Sequence, residues 1–152
     1  MRFRIAMILA VSVLLTNLCA CSANKVDYTL SPFSQKVSFT ANDSSFSGVL
    51  TFVSADDISF EVTEPQKISN MKYNLHEGKK SIIYDTLEIP LDKGDGSIFK
   101  LLDIICFVSG TPFKISNHGE DTISGEGYEI LFNCDEKKII SIQSDDYHFS
   151  FG

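Results

Sequence analysis

The side chains that most often do chemistry are scattered along this sequence rather than grouped. Its three histidines lie far apart, each in an expected turn or on the exposed phase of a strand: they are His76, His118 and His148. Asp56-Asp57 and Asp145-Asp146 are adjacent carboxylates, which would point to opposite faces of a strand, so we interpret them as turn residues. The loop 92–97 has acids at its first and fourth positions, whereas a calcium loop uses the first, third and fifth. We therefore predict no catalysis, no metal site and no cofactor.

Cys21 is the residue whose surroundings do predict a reaction. It follows a short basic start and the apolar run 5–15, which is too short for a comfortable membrane span and is typical of a secretory signal peptide. The residues Leu18-Cys19-Ala20-Cys21 resemble a bacterial lipobox, in which the last cysteine receives diacylglycerol on its sulfur and becomes the new N-terminus. The alternative is an ordinary signal peptide cut near Ala20 or Ala23, which would release a soluble secreted protein.

The predicted anchor divides the chain into a signal peptide with lipobox at 1–20, a lipidated cysteine and tether at 21–35, and a single domain at 36–152. Two or three acyl chains hold a protein firmly on a bilayer, so we expect the domain on the extracytoplasmic face of the cell membrane, or on the outer membrane of a Gram-negative host. Both arginines lie in the predicted signal and all 20 acidic residues lie outside it, so the mature domain would be more acidic than the whole chain, whose net charge is −7. Such a domain is a poor candidate for binding nucleic acid.

Cys106 and Cys134 would remain after the signal peptide is removed and Cys21 is acylated. As the two cysteines of an exported domain they could form a disulfide. Each also lies in an apolar run, where a free cysteine packs as a small hydrophobic residue. The sequence leaves both possibilities open.

From residue 36 onwards, apolar and polar residues alternate in short runs separated by turns, as in 37–41, 46–52 and 58–62. About ten such runs in succession are typical of an antiparallel meander. The segment 97–108 has instead the helical spacing i, i+3, i+4, i+7, at Ile98, Leu101, Leu102 and Ile105. This helix is apolar nearly all round, so we expect it to be buried on more than one side. The pattern predicts an α+β fold, mainly β, with one helix packed across the concave face of the sheet.

The sequence is rich in aromatic residues, with 12 Phe and 5 Tyr. They could fill the core of the domain. They could also line a cavity for an apolar ligand, because a single helix covers the inner face of such a sheet only partly. The candidate lining residues are Phe39, Leu50, Phe60, Tyr73, Leu101, Ile105, Tyr128, Phe132 and Phe149.

The order of these elements resembles the LolA/LolB-like superfamily, and more closely the single-domain lipoproteins of low-GC Gram-positive bacteria that share its fold. The likeness covers 36–152 and rests on Phe46-Ser-Gly-Val-Leu-Thr-Phe52, on 58–68 with Pro65, and on Tyr84-Asp-Thr-Leu87. It implies an incomplete β-barrel, or half-barrel, wrapped around helical structure, with an apolar interior that takes acyl chains.

We therefore expect a membrane-anchored lipoprotein, held through Cys21, that binds a lipid-like or other apolar ligand and catalyses no reaction. The alternative is a surface lipoprotein with a self-filled core. Such a protein would bind a protein partner through a sheet edge or an exposed patch.

Overall fold

The structure is a computed structural model, and it describes residues 25–41, 44–93 and 96–152. The predicted signal peptide, Cys21 and the first residues of the predicted tether lie outside this part of the chain. The described residues form twelve β-strands and one α-helix. In chain order these are β1 (Lys25–Tyr28), β2 (Phe33–Ala41), β3 (Ser44–Ser54), β4 (Asp57–Glu64), β5 (Met71–His76), β6 (Lys79–Tyr84), β7 (Leu87–Leu91), α1 (Ser97–Gly110), β8 (Phe113–Ser116), β9 (Glu120–Gly125), β10 (Tyr128–Asn133), β11 (Lys138–Gln143) and β12 (His148–Phe151), with a 3₁₀ helix (Gln66–Ile68) between β4 and β5.

Ten of the strands form one antiparallel sheet in the order β7-β6-β5-β4-β3-β2-β12-β11-β10-β9. Most neighbours are consecutive in sequence, as in a meander, and the pairing of β2 with β12 joins the two halves of the chain. The sheet does not close, and its edges are β7 and β9. β1 and β8 form a separate two-stranded sheet. The predicted mainly β fold with an open half-barrel is confirmed.

The helix α1 lies across the inner face of this sheet, where it contacts β3, β4 and β5. The predicted helix 97–108 is confirmed, and its buried residues are Ile98, Phe99, Leu101, Leu102, Ile104, Ile105 and Val108. Phe107 is an exception to the expected burial, because its side chain is 67% exposed. One side of the helix therefore stays open to solvent near its C-terminal end.

The first described element, β1, begins at Lys25, inside the segment 21–35 that the sequence predicts as a tether. β1 pairs with β8, with Val26 opposite Ile115. Tyr28, the last residue of β1, packs against Phe132 of the large sheet with ring centroids 5.2 Å apart. These contacts tie the start of the described chain to the core.

Aromatic rings form the centre of the core. Phe46, Phe39 and Phe149 stack across β3, β2 and β12, with ring centroids 5.8 and 4.7 Å apart. Cys134 is also buried in this core, and Cys106 is half-buried on α1. Both thiols are free.

Candidate functional site

The structure brings all nine candidate lining residues together in or against one hydrophobic core. All of them except Tyr73 and Tyr128 are at most 4% exposed. Phe39 and Phe149 stack on each other, and Leu101 and Ile105 approach the sheet from α1. Because the buried members pack against one another, the inner-face surface that a ligand can reach lies at the two sides of the core, beside Tyr73 and beside Tyr128.

Beside Tyr73, the inner face continues past the helix onto the last three strands of the sheet. Tyr73 lies opposite Ile82 and Ile82 opposite Ile89, so these residues share the inner face. One step along the strands, Met71, Tyr84 and Leu87 form a second row. We call these two rows the apolar margin: Met71, Tyr73, Ile82, Tyr84, Leu87 and Ile89.

The outer part of the apolar margin is open to solvent. Tyr84 is 48% exposed, Leu87 61% and Ile89 45%. Its inner part, at Met71, Tyr73 and Ile82, packs against the core. The apolar margin is therefore a continuation of the core, and its outer part stays exposed among the described residues.

The helix is fixed at the border of the apolar margin by contacts with β5 and β6. Phe99 meets Tyr73 edge to face, with ring centroids 5.4 Å apart. The Lys80 ammonium lies 2.7 Å from Asp103 Oδ2 on the helix and 5.6 Å from the centre of the Phe99 ring. Burial at this border raises the pKa of the Tyr73 phenol above its ordinary value. The helix therefore cannot cover the apolar margin without losing these contacts.

The edge strand β7 carries an acidic and a proline residue on its other face. Ser81 Oγ donates a hydrogen bond to Glu88 Oε1 at 2.7 Å. Pro90 lies opposite Ser81, and proline has no backbone N–H to donate to a further strand. This edge is therefore poorly suited to extended strand pairing.

Beside Tyr128, a groove of about 380 Å³ lies between α1 and the loops 126–127 and 144–147. We call it the helix groove, and the residues that matter for its chemistry are Lys100, Asp103, Phe107, Glu126, Tyr128, Asp146 and Tyr147. The Tyr128 ring lies directly over Gly125 on the paired strand, where a larger residue would leave it no room. Burial, and then the neighbouring Tyr147, raise the pKa of the Tyr128 phenol.

A second groove of about 380 Å³ lies beside Tyr128 and shares Gly127 and Ser144 with the helix groove. Glu129 and Asp145 also line it. Tyr128 thus separates two adjoining grooves at one end of the half-barrel.

The titratable residues do not assemble into a metal site anywhere in the described parts of the chain. His118 Nδ1 lies 2.9 Å from Asp135 Oδ1, and His76 Nδ1 lies 3.9 Å from Asp57 Oδ1, both at exposed positions. No helix within the described residues is long and apolar enough to span a membrane.

The sequence patterns did not identify the most exposed residues of the apolar margin and of the helix groove. Leu87 and Ile89 do show the alternation of a strand with one apolar face, which could have marked them as inward-facing. The exposure of Phe107 had no signal, because a helix that is apolar all round does not reveal which side the sheet covers. Comparison with protein-family models and with curated protein sequences finds no match to this chain.

Proposed function

We propose that this chain is a membrane-anchored extracytoplasmic lipoprotein that binds a lipid-like ligand on its apolar margin and catalyses no reaction. The observation that carries the proposal is the exposure of Tyr84, Leu87 and Ile89 on the same face as the core. Contiguous exposed apolar surface marks an interaction site, since its burial contributes about 25 cal/mol per Å². The lipobox-like sequence that ends at Cys21 supports the anchor.

The surroundings of the apolar margin favour an amphiphile with an acidic head group. Leu91 lies opposite Lys80 on the inner face, next to Ile89 and Ile82. A groove of about 570 Å³ begins there; Lys79, Lys80 and Lys93 line it together with Asp92, and Lys80 also pairs with Asp103. A hydrocarbon chain on the apolar margin would thus place its head group beside ammonium groups, in a protein that is otherwise acidic.

Native mass spectrometry of residues 22–152 tests this function. Every described element and core residue lies within this range, so it contains the whole folded body. After purification from a bacterial cytoplasm without detergent, we expect an adduct with the mass of a fatty acid or phospholipid, released by organic solvent. A parent protein that carries no adduct overturns the proposal.

Two matched variants test whether the ligand binds on the apolar margin. Leu87→Asp adds a charge to the apolar margin and should abolish the adduct, because a carboxylate is costly to bury beside hydrocarbon. Val53→Asp makes a similar change at a residue that is 53% exposed on β3 and outside the apolar margin, and it should keep the adduct. Equal adducts in both variants would mean that the ligand binds elsewhere.

The second candidate function is that of an anchored protein-interaction module with a self-filled core. The burial of Phe39, Leu50 and Phe60 in the core favours it, since these side chains already fill part of the inner face. The two functions differ in what reaches Leu87. If native mass spectrometry shows no lipid adduct, this candidate requires that a crosslinker placed at position 87 captures one defined protein on whole cells.

A further inference from the structure

The helix groove, which shares Asp103 with the border of the apolar margin, combines aromatic walls with an acidic rim. Its aromatic residues are Phe107, Tyr128 and Tyr147. Phe107 is the most exposed of them, at 67%. Because Phe107 also lines the groove, its ring is accessible to an apolar group of a ligand bound there.

Carboxylates surround these aromatic rings. Glu126 and Asp146 line the helix groove, and Glu129 and Asp145 line the second groove on the far side of Tyr128. All four are exposed. Asp103 also lines the helix groove, but its charge is compensated by Lys80 at 2.7 Å. The two grooves therefore present a negative surface that is complementary to a cationic ligand.

A cation of the protein itself already lies against one of the rings. The Lys100 ammonium lies 5.9 Å from the centre of the Tyr147 ring, within the range of a cation–π contact. Lys100 is also the basic residue that lines the helix groove. The contact places an ammonium group against this ring, in a groove that Glu126 and Asp146 also line.

From this arrangement we infer that the helix groove and the second groove bind a basic segment of a partner protein, with lysine or arginine side chains among the carboxylates and an apolar side chain against Phe107. The two grooves adjoin at Tyr128, so together they accommodate more than a single side chain. The negative rim would repel an anionic membrane surface, which favours a protein over a lipid as the occupant.

A titration followed by the backbone amide signals in NMR tests the inference on residues 22–152. The probe is a short acetylated and amidated peptide in which lysine and leucine alternate. We expect shifts confined to the loops 126–129 and 144–147 and to α1 between Lys100 and Phe107. Shifts spread evenly over the acidic surface, or no binding at low salt, would overturn the inference, as would equal shifts of these same loops when neutral phosphatidylcholine vesicles are added in place of the peptide.

Charge variants separate this site from general attraction between an acidic protein and a basic peptide. Glu126→Gln with Asp146→Asn should weaken binding about tenfold, equivalent to about 1.4 kcal/mol. Glu61→Gln with Glu64→Gln removes the same charge from exposed positions on β4 and should have a much smaller effect. Equal weakening by both pairs would contradict a defined site.

Substitution of Lys100 should strengthen peptide binding, whereas the substitutions of the carboxylates should weaken it. Lys100→Gln removes the ammonium group that lies over the Tyr147 ring and should tighten peptide binding more than Lys67→Gln, which removes the same charge from an exposed position in the 3₁₀ helix. Phe107→Ser should weaken binding without changing the amide spectrum of the core. An unchanged affinity in either Lys100→Gln or Phe107→Ser would overturn the proposed mode of binding.

Discussion

Tyr73 of β5 meets Phe99 of α1 edge to face, with ring centroids 5.4 Å apart, and the inner face of the half-barrel is uncovered beyond this contact. On one side of the pair lies a packed core. On the other side lie Tyr84, Leu87 and Ile89, each exposed by nearly half or more. The position of one helix thus divides the inner face into structural surface and surface available for binding.

Gly48 is a position where the core allows no side chain. A Cβ atom on Gly48 would collide with the ring of Phe60 and with the backbone carbonyl of Glu61. We expect Gly48→Ala to lower the free energy of unfolding by about 1–3 kcal/mol, as overpacking does. Gly110→Ala is the control, because its Cβ would meet open space. Chemical denaturation of both variants measures the difference, and equal stabilities would contradict the packing of Phe60 over Gly48.

Phe149 and Phe107 form a matched pair of phenylalanines, one buried and one exposed. Phe149 is fully buried and stacks on Phe39 at 4.7 Å. Phe149→Ala should therefore lower the free energy of unfolding by about 3–5 kcal/mol. Phe107→Ala should change it by less than about 0.5 kcal/mol, since the ring already lies in solvent. Thermal and urea unfolding test both values, and a large loss for Phe107→Ala would mean that the open side of the helix is misplaced.

Asp121 should make the stability of the domain depend on pH. Burial alone would raise the pKa of this carboxyl group, but hydrogen bonds from the Ser116 amide and hydroxyl, together with the Lys25 ammonium, lower it below the ordinary value of 3.8. A carboxyl group with a lowered pKa in the folded state stabilises the fold above its ordinary pKa, and this contribution is lost as the pH falls through the folded value. Asp121→Asn should therefore be less stable than the parent at neutral pH, and the difference should shrink in acid.

Unfolding curves recorded from neutral pH down to below the ordinary pKa test this expectation. Glu120→Gln, a change at the exposed neighbouring residue, controls for the loss of one negative charge. A difference between the parent and Asp121→Asn that stays constant with pH would show that Asp121 acts through its shape alone.

The local patterns of the sequence predicted the local structure. Alternation in 46–52 and 58–62 marked β3 and β4, and the helical spacing from Ile98 to Ile105 marked α1. Pairing between distant segments could not be read in this way. β1 has only four residues, too few for its alternation to predict a strand, and its partner β8 lies far away in the sequence. The segment 21–35, predicted as a tether, therefore includes β1 and the start of β2.

The candidate site was predicted less completely than the fold, for a related reason. Alternation identifies which residues face inward, and Phe60, Phe132 and Phe149 do so. It does not show which part of the inner face the helix will cover. That depends on where Phe99 meets Tyr73 and where Lys80 meets Asp103, which are contacts between elements. Tyr73 is itself one of these contact residues, and Tyr128 lines the helix groove together with Asp103.

The most direct test of the central claim is photo-crosslinking with a fatty acid that carries a diazirine near the end of its chain, followed by peptide mapping. The proposed site predicts that the labelled residues fall on β5, β6 and β7, at Met71, Tyr84, Leu87 or Ile89. Labelling should be lost in Leu87→Asp. Labelling confined to other surfaces, or no labelling of a correctly folded protein, would contradict the claim that the apolar margin binds a lipid-like ligand.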